Sequence, residues 1–584
     1  MKRILRNLAL LYIPMLIFVG CMDEAIPTEY ATADQIGGSE SGLNALSNST
    51  AAFMYAYNYI GSVSSQEFGY PAMMIIRDIL TDCPYVATSY NHFNTYWGTL
   101  ADFTSARMRQ PWRYYYTMSM NANKTLIAIG DPEEATEAIQ AFYGNALIYR
   151  ALSYMDLARM YEYKRTNVPD LDDEAEKNGV FGLTTVIVDE FFNPSDARNN
   201  PRVPFYHMYR FIMNDLNKAE KYLATYERPA KAKIRADLSV AHAYKARLWL
   251  EIATRFQKYP ADLQTQLSHE DDEELAHLDK LGVSSAADCY KKAAEYARLV
   301  INKYTPLTEG QWHDVNNGFN NSDSESWVFA ITIGSADAVH NRVDNFHSNC
   351  VTEYSRGYSR SQYHCYRMID KRLYDQIDDD DWRKVTWIDP DDAGKKPTPD
   401  KYHTLLDDDE WALRDAYVGF KFRPNNGDIS DNYTNALQVS YPIIRVEEMY
   451  FIEAEAKTYS EGLASGMNAL ASFLNTHRYK GGTFNVTPDG IEDFVDTYLI
   501  TQKRIELWGE GLAYFDIKRR ELALTHGYVD TNYLPANRYN SKSGYAPAWL
   551  NLYVPREGEA TLNSAIELNP DPRVQDNYGL WTGN

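Results

Sequence analysis

The sequence predicts a mainly α-helical protein in which helical repeats support an irregular, loop-rich half with few short strands. Two observations favour this fold class. Between residues 112 and 304, apolar residues recur at three- and four-residue steps over stretches of about twenty residues, the period of an amphipathic helix. Between residues 305 and 441 that period weakens, while Asn, Asp, Gly and Pro become frequent.

The first twenty-one residues predict export from the cell. Three basic residues within the first six precede a mostly apolar run, residues 8–19, that ends at Gly20-Cys21. A basic start, a short apolar core and a small residue before the cleavage point are typical of a secretory signal. Twelve helical residues span about 18 Å, which is too short for the ~30 Å hydrocarbon core of a bilayer.

The cysteine after Gly20 resembles that of a bacterial lipoprotein signal, in which Cys21 becomes the lipidated N-terminus. Phe18 stands where that motif prefers Leu, and an ordinary signal peptide with a chance cysteine is the alternative. Asp23 and Glu24 resemble the acidic flag that sends some Gram-negative lipoproteins to the cell surface. We therefore expect a protein lipid-anchored to the outer membrane and facing the cell exterior.

The overall charge is strongly acidic. Lys and Arg number 58 against 80 Asp and Glu, which gives a formal net charge of −22. No basic stripe interleaves with aromatic residues, so the composition argues against a nucleic-acid partner. No second run of about eighteen apolar residues occurs, so the mature chain is expected to be a soluble body on a lipid tether.

The remaining four cysteines form no close pair and no metal-type spacing. They are Cys83, Cys289, Cys350 and Cys365. Cys350 and Cys365 are candidates for a disulfide in an oxidising compartment, and buried free thiols are the alternative.

The helical period predicts successive helices along most of the chain. They cover residues 112–127, 141–161, 205–223, 234–256, 286–304, 444–461, 466–478 and 491–522. Ala241, Ala243, Ala246 and Leu250 would form one closely packing face. Ala-rich helices in consecutive pairs indicate a tetratricopeptide-type solenoid, and an irregular helical bundle remains the alternative.

The irregular region contains one predicted buried strand, residues 327–333, and two acidic segments, residues 378–381 and 389–392. Calcium is conceivable at the acidic segments, but the EF-hand pattern with its Gly and final Glu is missing. We interpret both segments as solvated loops and predict no cofactor and no metal; a structural calcium ion has no support in the sequence.

No catalytic signature is present, since the sequence has no HExxH helix, no P-loop and no GxSxG elbow. Glu506 and Glu510 lie four residues apart, and a glycosidase needs two carboxylates. Two glutamates on one helical turn point the same way, however, whereas a glycosidase pair converges across a sugar. Salt bridges with Lys503 or Arg504 are the favoured interpretation, and the protein is not expected to be an enzyme.

Several motifs, taken together, carry a family resemblance. An aromatic W-Y-AN pattern begins at Trp112, and an A-RA-Y-DL-Y pattern covers residues 146–161. The most specific part is residues 444–519, with its RVEEMYFI, EL, EG and YFDIKR groups, and an LNP to QDN tail follows at residues 568–577. With Cys21, these motifs resemble the SusD/RagB family of outer-membrane nutrient-binding lipoproteins over essentially the whole mature chain. Departures at Ser119, Glu162 and Gln502-Lys503 lie in scaffold.

That resemblance implies one helical body with about four tetratricopeptide-like helix pairs. Family members bind oligosaccharides, or in some branches peptides, and pass them to a SusC-like TonB-dependent transporter. They are not enzymes; a surface glycoside hydrolase and a helical scaffold for protein partners are the remaining alternatives. The predicted parts are a signal peptide (1–20), a lipidated tether with the first helix (21–60), an N-terminal helical region (61–304) and a C-terminal region (305–584).

Buried charged residues within the motifs are expected to be structural. A buried Arg or Asp must pair or hydrogen-bond, so these positions should be pins between helices rather than ligand contacts. They are Arg150, Asp156, Arg445, Glu448, Glu510 and Asp516.

Two loop regions offer the chemistry of sugar binding, with flat aromatic faces beside amide and guanidinium groups. The first contributes Tyr90, Asn91, His92, Phe93, Tyr96 and Trp97. The second contributes Asn341, Arg342, Tyr354, Tyr358 and Tyr363. A weaker third cluster is Trp312 with Asn316, Asn317, Phe319 and Asn320. The alternative is that these aromatic residues pin long loops to the body.

Overall fold

A computed structural model of the chain describes residues 37–56, 69–84, 109–314, 319, 321–332, 367–395, 401–403, 408–412, 414–422, 440–541, 546–571 and 578–583. Helix dominates these ranges, so the predicted mainly α fold class is confirmed. The helices before the irregular half are α1 (Glu40–Ala52), α2 (Gly69–Ile79), α3 (Arg109–Ile129), α4 (Glu137–Tyr161), α5 (Pro169–Lys177), α6 (Phe205–Tyr222), α7 (Leu238–Lys258), α8 (Pro260–Ser268) and α9 (Ala286–Ile301).

The irregular half contains only short helices, and long helices return after it. The short ones are α10 (Glu309–Trp312), α11 (Lys371–Asp375) and α12 (Asp408–Trp411). The closing helices are α13 (Val446–Ser460), α14 (Leu463–His477), α15 (Ile491–Asp493), α16 (Ile500–Glu506) and α17 (Ala513–Arg520). Within the described ranges, no helix is both long and apolar enough to cross a bilayer.

The long helices form a stack in which each packs on the next. Helix α3 packs on α4, α4 on α6, α6 on α7 and α7 on α9. Small side chains permit the close approach, since Ala241, Ala246, Ala293 and Ala297 are fully buried. This consecutive packing is typical of tetratricopeptide-like pairs, which is what the Ala-rich helix faces predict.

The stack continues across the irregular half. Helix α9 packs directly on α13, although residues 302–445 separate them in the chain. The Tyr290 and Tyr459 rings stack at 4.6 Å, and the Arg298 Nε donates to Glu453 at 2.9 Å. The irregular half is therefore an insertion between two neighbouring helices of one stack.

Two short sheets accompany the helices. Strand β1 (Trp327–Ile331) pairs antiparallel with β2 (Tyr441–Arg445), so Ile331 lies opposite Tyr441. Both strands are entirely buried. The strand predicted at 327–333 is confirmed over residues 327–331; residue 332 lies outside the strand, and residue 333 is not among the described residues. Strands β3 (Tyr539–Ser541) and β4 (Tyr578–Leu580) form the second sheet.

The single helix predicted over residues 491–522 is wrong. Helix α15 leads into a π-helical turn (Phe494–Leu499) and then α16, which ends at Glu506. The chain then reverses before α17 through Gly509 and Gly511, whose φ angles are 78° and 71°. A side chain at Gly511 would meet the Met74 backbone at 2.7 Å, so this turn requires glycine.

The two described cysteines, Cys83 and Cys289, are buried and free. Cys350 and Cys365 lie outside the described residues, so their disulfide stays a prediction.

Candidate functional site

The predicted ligand-binding residues lie outside the described ranges, as does Cys21. The residues concerned are Tyr90, Asn91, His92, Phe93, Tyr96 and Trp97 in segment 85–108, and Asn341, Arg342, Tyr354, Tyr358 and Tyr363 in segment 333–366.

The flanks of these two segments meet. Pro84 precedes segment 85–108, and Arg367 and Met368 follow segment 333–366. The Met368 N–H donates to the Pro84 carbonyl at 2.8 Å. Two parts of the chain almost three hundred residues apart are thus joined by a main-chain hydrogen bond where the predicted binding segments begin and end.

A third segment, residues 423–439, has its flanks at the same place. The Arg367 guanidinium lies 5.1 Å from the centre of the Phe422 ring, and the Phe422 ring lies 6.1 Å from that of Tyr441. Tyr441 is paired in turn with Ile331, next to the start of segment 333–366. We call Pro84, Ile331, Arg367–Met368, Phe422 and Tyr441 the loop frame.

The loop frame is fastened to α2 and to the turn between α16 and α17. The Arg367 Nη1 lies 3.1 Å from the Asp78 Oδ2, and the Gly511 N–H donates to the Asp78 Oδ1 at 2.8 Å. Burial raises the pKa of the Asp78 carboxyl to about 6, although the Arg367 charge opposes this rise. No local pattern in the sequence signals this contact, because its partners are distant in the chain.

Beneath the frame lies a buried group of charges that we call the charge cluster. Glu506 accepts hydrogen bonds from Arg383 at 2.9 Å, Arg445 at 3.1 Å and Arg478 at 2.7 Å. Glu510 accepts from Lys421 at 2.6 Å. These side chains are almost fully buried, so each charge depends on its partners for the solvation that water no longer supplies.

The pKa values in the charge cluster reflect a competition between burial, which disfavours each charge, and the neighbouring opposite charges, which favour it. Burial alone raises the pKa of the Glu506 carboxyl, but Arg478, Arg445 and Arg383 outweigh it and hold that pKa well below its usual range. Burial lowers the pKa of the Lys421 ammonium to about 8, with Glu510 opposing the change. The cluster is a structural joint between β2, α14, α16 and the irregular half.

The salt bridges expected within α16 are wrong. Lys503 pairs with Asp516 at 2.8 Å, and Arg504 pairs with Asp82 at 2.6 Å, so neither binds Glu506 or Glu510. The reason is the end of α16 at Glu506, which removes Glu510 from the helical face on which that expectation rests. Both carboxylates are occupied by cations and buried, which leaves them unsuited to glycosidase chemistry.

The predicted pins are buried ion pairs, and four of them join helices as expected. Arg150 Nε pairs with Asp215 at 2.7 Å, between α4 and α6, and Asp156 pairs with Arg77 at 2.9 Å, between α4 and α2. Glu448 on α13 binds Arg247 on α7, and Asp516 on α17 binds Lys503 on α16. Arg445 and Glu510 bind each other, but Arg445 ends β2 and Glu510 lies in the turn after α16, so this pair does not join two helices.

The two described aromatic residues of the third predicted cluster do not lie on a binding surface. Trp312 and Phe319 are buried at 1% and 0% exposure. Their rings meet at 5.0 Å, and both face Lys421, whose Nζ lies 4.9 Å from the Trp312 ring centre. These aromatic residues therefore cover the charge cluster, while Asn316, Asn317 and Asn320 lie outside the described residues.

Some aspartates of both acidic segments pair with cations of the chain. Asp381, expected in a solvated loop, is buried and pairs with Arg383 at 2.5 Å. Asp392 pairs with Lys401 at 2.5 Å and accepts from the Tyr402 hydroxyl at 2.6 Å. Among the described residues, no group of three His, Cys, Asp or Glu side chains could hold a metal ion.

The described residues form a helical stack with one irregular insertion, and the flanks of three segments meet at the loop frame. Family models match two parts of the chain. One, described as starch-binding and associating with the outer membrane, matches residues 70–250, and the other, described as the SusD family, matches residues 409–560. The chain belongs to the SusD/RagB family of carbohydrate-binding proteins.

Solved structures share the fold over most of their length. A SusD-like carbohydrate-binding protein from Bacteroides vulgatus is 19% identical with a TM-score of 0.63, over 90% of this chain and 97% of its own. A SusD superfamily protein from Bacteroides thetaiotaomicron is 16% identical with a TM-score of 0.61, over 91% and 100%. A laminarin-binding SusD-like protein is 15% identical with a TM-score of 0.57, over 91% and 99%. No curated protein matches the sequence significantly.

Proposed function

We propose that this protein is a surface lipoprotein that binds oligosaccharides and delivers them to a SusC-like TonB-dependent outer-membrane transporter. The observation that carries the proposal is the loop frame. Segment 85–108 begins after Pro84, and segment 333–366 ends before Arg367 and Met368. Pro84 and Met368 share a main-chain hydrogen bond. Membership of a carbohydrate-binding family, and the laminarin-binding neighbour, support the choice of ligand class.

The binding chemistry is assigned to the two aromatic segments together. Trp97 and Tyr358 would stack against the apolar C–H faces of sugar rings, because an aromatic face offers flat apolar area without a charge. Asn91, Asn341 and Arg342 would bind hydroxyl groups. A peptide ligand, as in some branches of the family, is the second candidate, since the same side chains can bind a peptide.

The lipid anchor is part of the proposed mechanism. Residues 1–20 would be removed and Cys21 lipidated. Residues 21–60 would supply a tether and the first helix, α1, which packs on α3 and α4 of a body made of regions 61–304 and 305–584. Asp23 and Glu24 would direct the lipid to the outer leaflet. A tethered body that swings over a transporter can capture a ligand from the medium and release it into the barrel.

The proposed role is capture without cleavage. The one carboxylate pair that invited a glycosidase interpretation, Glu506 and Glu510, is held by Arg383, Arg445, Arg478 and Lys421. Turnover of an oligosaccharide by the pure protein would establish the hydrolase alternative instead.

Affinity gel electrophoresis tests the binding site. Laminarin and soluble starch cast into native gels should retard the mature protein, and Trp97→Ala or Tyr358→Ala should abolish the retardation with an unchanged melting temperature. Phe191→Ala is the matched control, because Phe191 is 84% exposed and lies in a turn between α5 and α6, outside the loop frame. Unchanged retardation of both loop variants would overturn the assignment.

Co-purification tests the transporter partnership. The protein should be isolated from outer membranes in gentle detergent together with a large TonB-dependent barrel. Cys21→Ala should lose palmitate labelling and membrane association. A wild-type protein that purifies without a barrel at normal expression would contradict the proposal.

A further inference from the structure

A cavity of about 380 Å³ lies where the C-terminal ends of α4 and α7 meet the N-terminal end of α6. Small-molecule sites occupy ~300–1,000 Å³, so this cavity has the size for one or two sugar rings. None of its lining residues belongs to the loop frame. It is therefore a separate feature of the helical stack.

The walls of the cavity are aromatic. Phe181, Tyr206 and Tyr259 are half-buried and so retain exposed ring area. The Phe181 ring meets the Tyr163 ring edge to face at 5.4 Å, and the Tyr206 ring stacks on His269 at 4.0 Å. The Arg165 guanidinium also lies 4.2 Å from the centre of the Phe181 ring, over one face of it. These neighbours fix the orientation of the rings, so the ring area that stays exposed is already in place for a ligand.

The polar groups of the cavity are organised around Arg255, which is 4% exposed. Its Nε donates to the Tyr209 hydroxyl at 3.0 Å, its Nη1 donates to Asp262 at 2.9 Å, and its Nη2 binds Glu162. Lys164 also pairs with Glu162, at 3.3 Å. The result is a fixed set of donors and acceptors beside the aromatic faces.

The mixture of charges decides the class of ligand. Glu162 and Asp262 would repel a phosphate, sulfate or carboxylate group, while Lys164, Arg165 and Arg255 would repel a cation. A neutral polyhydroxylated ring can accept from the guanidinium and ammonium groups and donate to the carboxylates. Its C–H face can stack on an aromatic ring at the same time.

We propose that this cavity is a second carbohydrate site, which binds a neutral mono- or disaccharide independently of the loop segments. Phe181 and Tyr206 supply the stacking faces, and Asp262 and Arg255 bind the hydroxyl groups. The site goes beyond the proposed function, because it lies on the helical stack and needs none of the residues assigned to the loops.

Saturation-transfer NMR on the mature protein tests the site, with maltose, cellobiose and laminaribiose as probes at up to about 10 mM, the range of weak sites. At least one probe should bind. Phe181→Ala and Phe181→Leu should weaken binding at least about tenfold, since neither retains a flat ring. Phe191→Ala, ten residues further along, should leave it unchanged.

The outcomes separate the two sites. Loss of the disaccharide signal in Trp97→Ala, with none in Phe181→Ala, would overturn the second site and leave the loop site intact. A failure of every probe to bind, or equal effects of Phe181→Ala and Phe191→Ala, would also overturn it. Disaccharide binding at Phe181 without retardation by laminarin or starch would instead contradict the loop assignment.

Discussion

The helical stack of α3, α4, α6, α7 and α9 and the charge cluster around Glu506 are both buried, yet different chemistry holds each together. The stack joins helices that follow one another, through alanines and tyrosines that leave little space between them. The cluster joins distant segments, because Arg383, Arg445, Arg478 and Glu506 come from four separate elements. Small side chains set spacing between neighbours, whereas ion pairs set which remote segments meet.

The largest expected effect on stability comes from removing the Glu506 carboxylate at the centre of the charge cluster. Glu506→Ala should destabilise the protein by about 3–5 kcal/mol, because three buried guanidinium groups would lose their counter-charge. Chemical denaturation at pH 7 measures the change. Glu133→Ala, which removes an exposed partner of Lys221, should leave the midpoint unchanged. Equal effects of the two variants would refute the role given to the cluster.

The contribution of Asp78, which holds the loop frame, to the free energy of unfolding should decrease as the pH rises. Burial raises the pKa of Asp78 to about 6, so the folded state binds a proton that the unfolded state has already released. The stabilisation is complete below about pH 4 and is lost as the pH rises through about 6. Wild-type stability relative to Asp78→Asn should fall by about 2–3 kcal/mol over that range. A difference that stays constant with pH would contradict this prediction.

Glu506 should give the opposite slope. Its folded-state pKa is depressed, so its stabilisation is present above the unfolded value of about 4.3 and is lost as the pH falls below it. Acid titration of the wild type and of Glu506→Gln, followed by circular dichroism, measures this loss of stability. The wild type should lose stability more steeply below about pH 4.3 than Glu506→Gln does.

Close packing in the stack can be tested by a substitution that removes and adds no charged side chain. Ala293→Leu, at a fully buried position on α9, should cost about 1–3 kcal/mol through overpacking. The same substitution at exposed Ala261 on α8 is the control and should change the thermal midpoint little. If Ala293→Leu is neutral, the stack is looser than its alanine faces indicate.

The smallest expected effect concerns the start of α9. The Ser285 hydroxyl accepts from the Asp288 N–H at 3.1 Å and caps the helix. Ser285→Ala should cost about 1 kcal/mol, since one terminal N–H loses its partner. Ser268→Ala, which removes an exposed hydroxyl bonded to Thr265 O at the end of α8, should have no measurable effect on the denaturation midpoint.

Most of the long helices and β1 could be predicted because their signals are local, whereas α2, α5 and α8 are not predicted and the helix expected over 491–522 is broken. The apolar period of residues 205–223 depends only on those residues, and the structure places α6 at Phe205–Tyr222. The pins at Arg150 and Asp156 were predictable as buried ion pairs, since burial demands a partner.

The partners themselves could not be read from the sequence. Glu506 binds Arg383, Arg445 and Arg478 rather than its neighbours in the chain, because the glycine turn after α16 changes the direction of the backbone. The same applies to α9 and α13, which meet across the insertion, and to Arg367, which lies within the insertion and pairs with Asp78 on α2. Periodicity identifies a buried face but carries no information about which remote surface covers it.

The Pro84–Met368 hydrogen bond has a consequence for protein engineering. It joins a carbonyl to an N–H, so it makes no demand on the side chains at either position. The segments that leave this point can therefore differ in sequence and length while their attachment stays the same. Under the proposed function, transplanting the loop segments of a relative with another glycan preference should change the ligand preference of the protein without redesign of its helices.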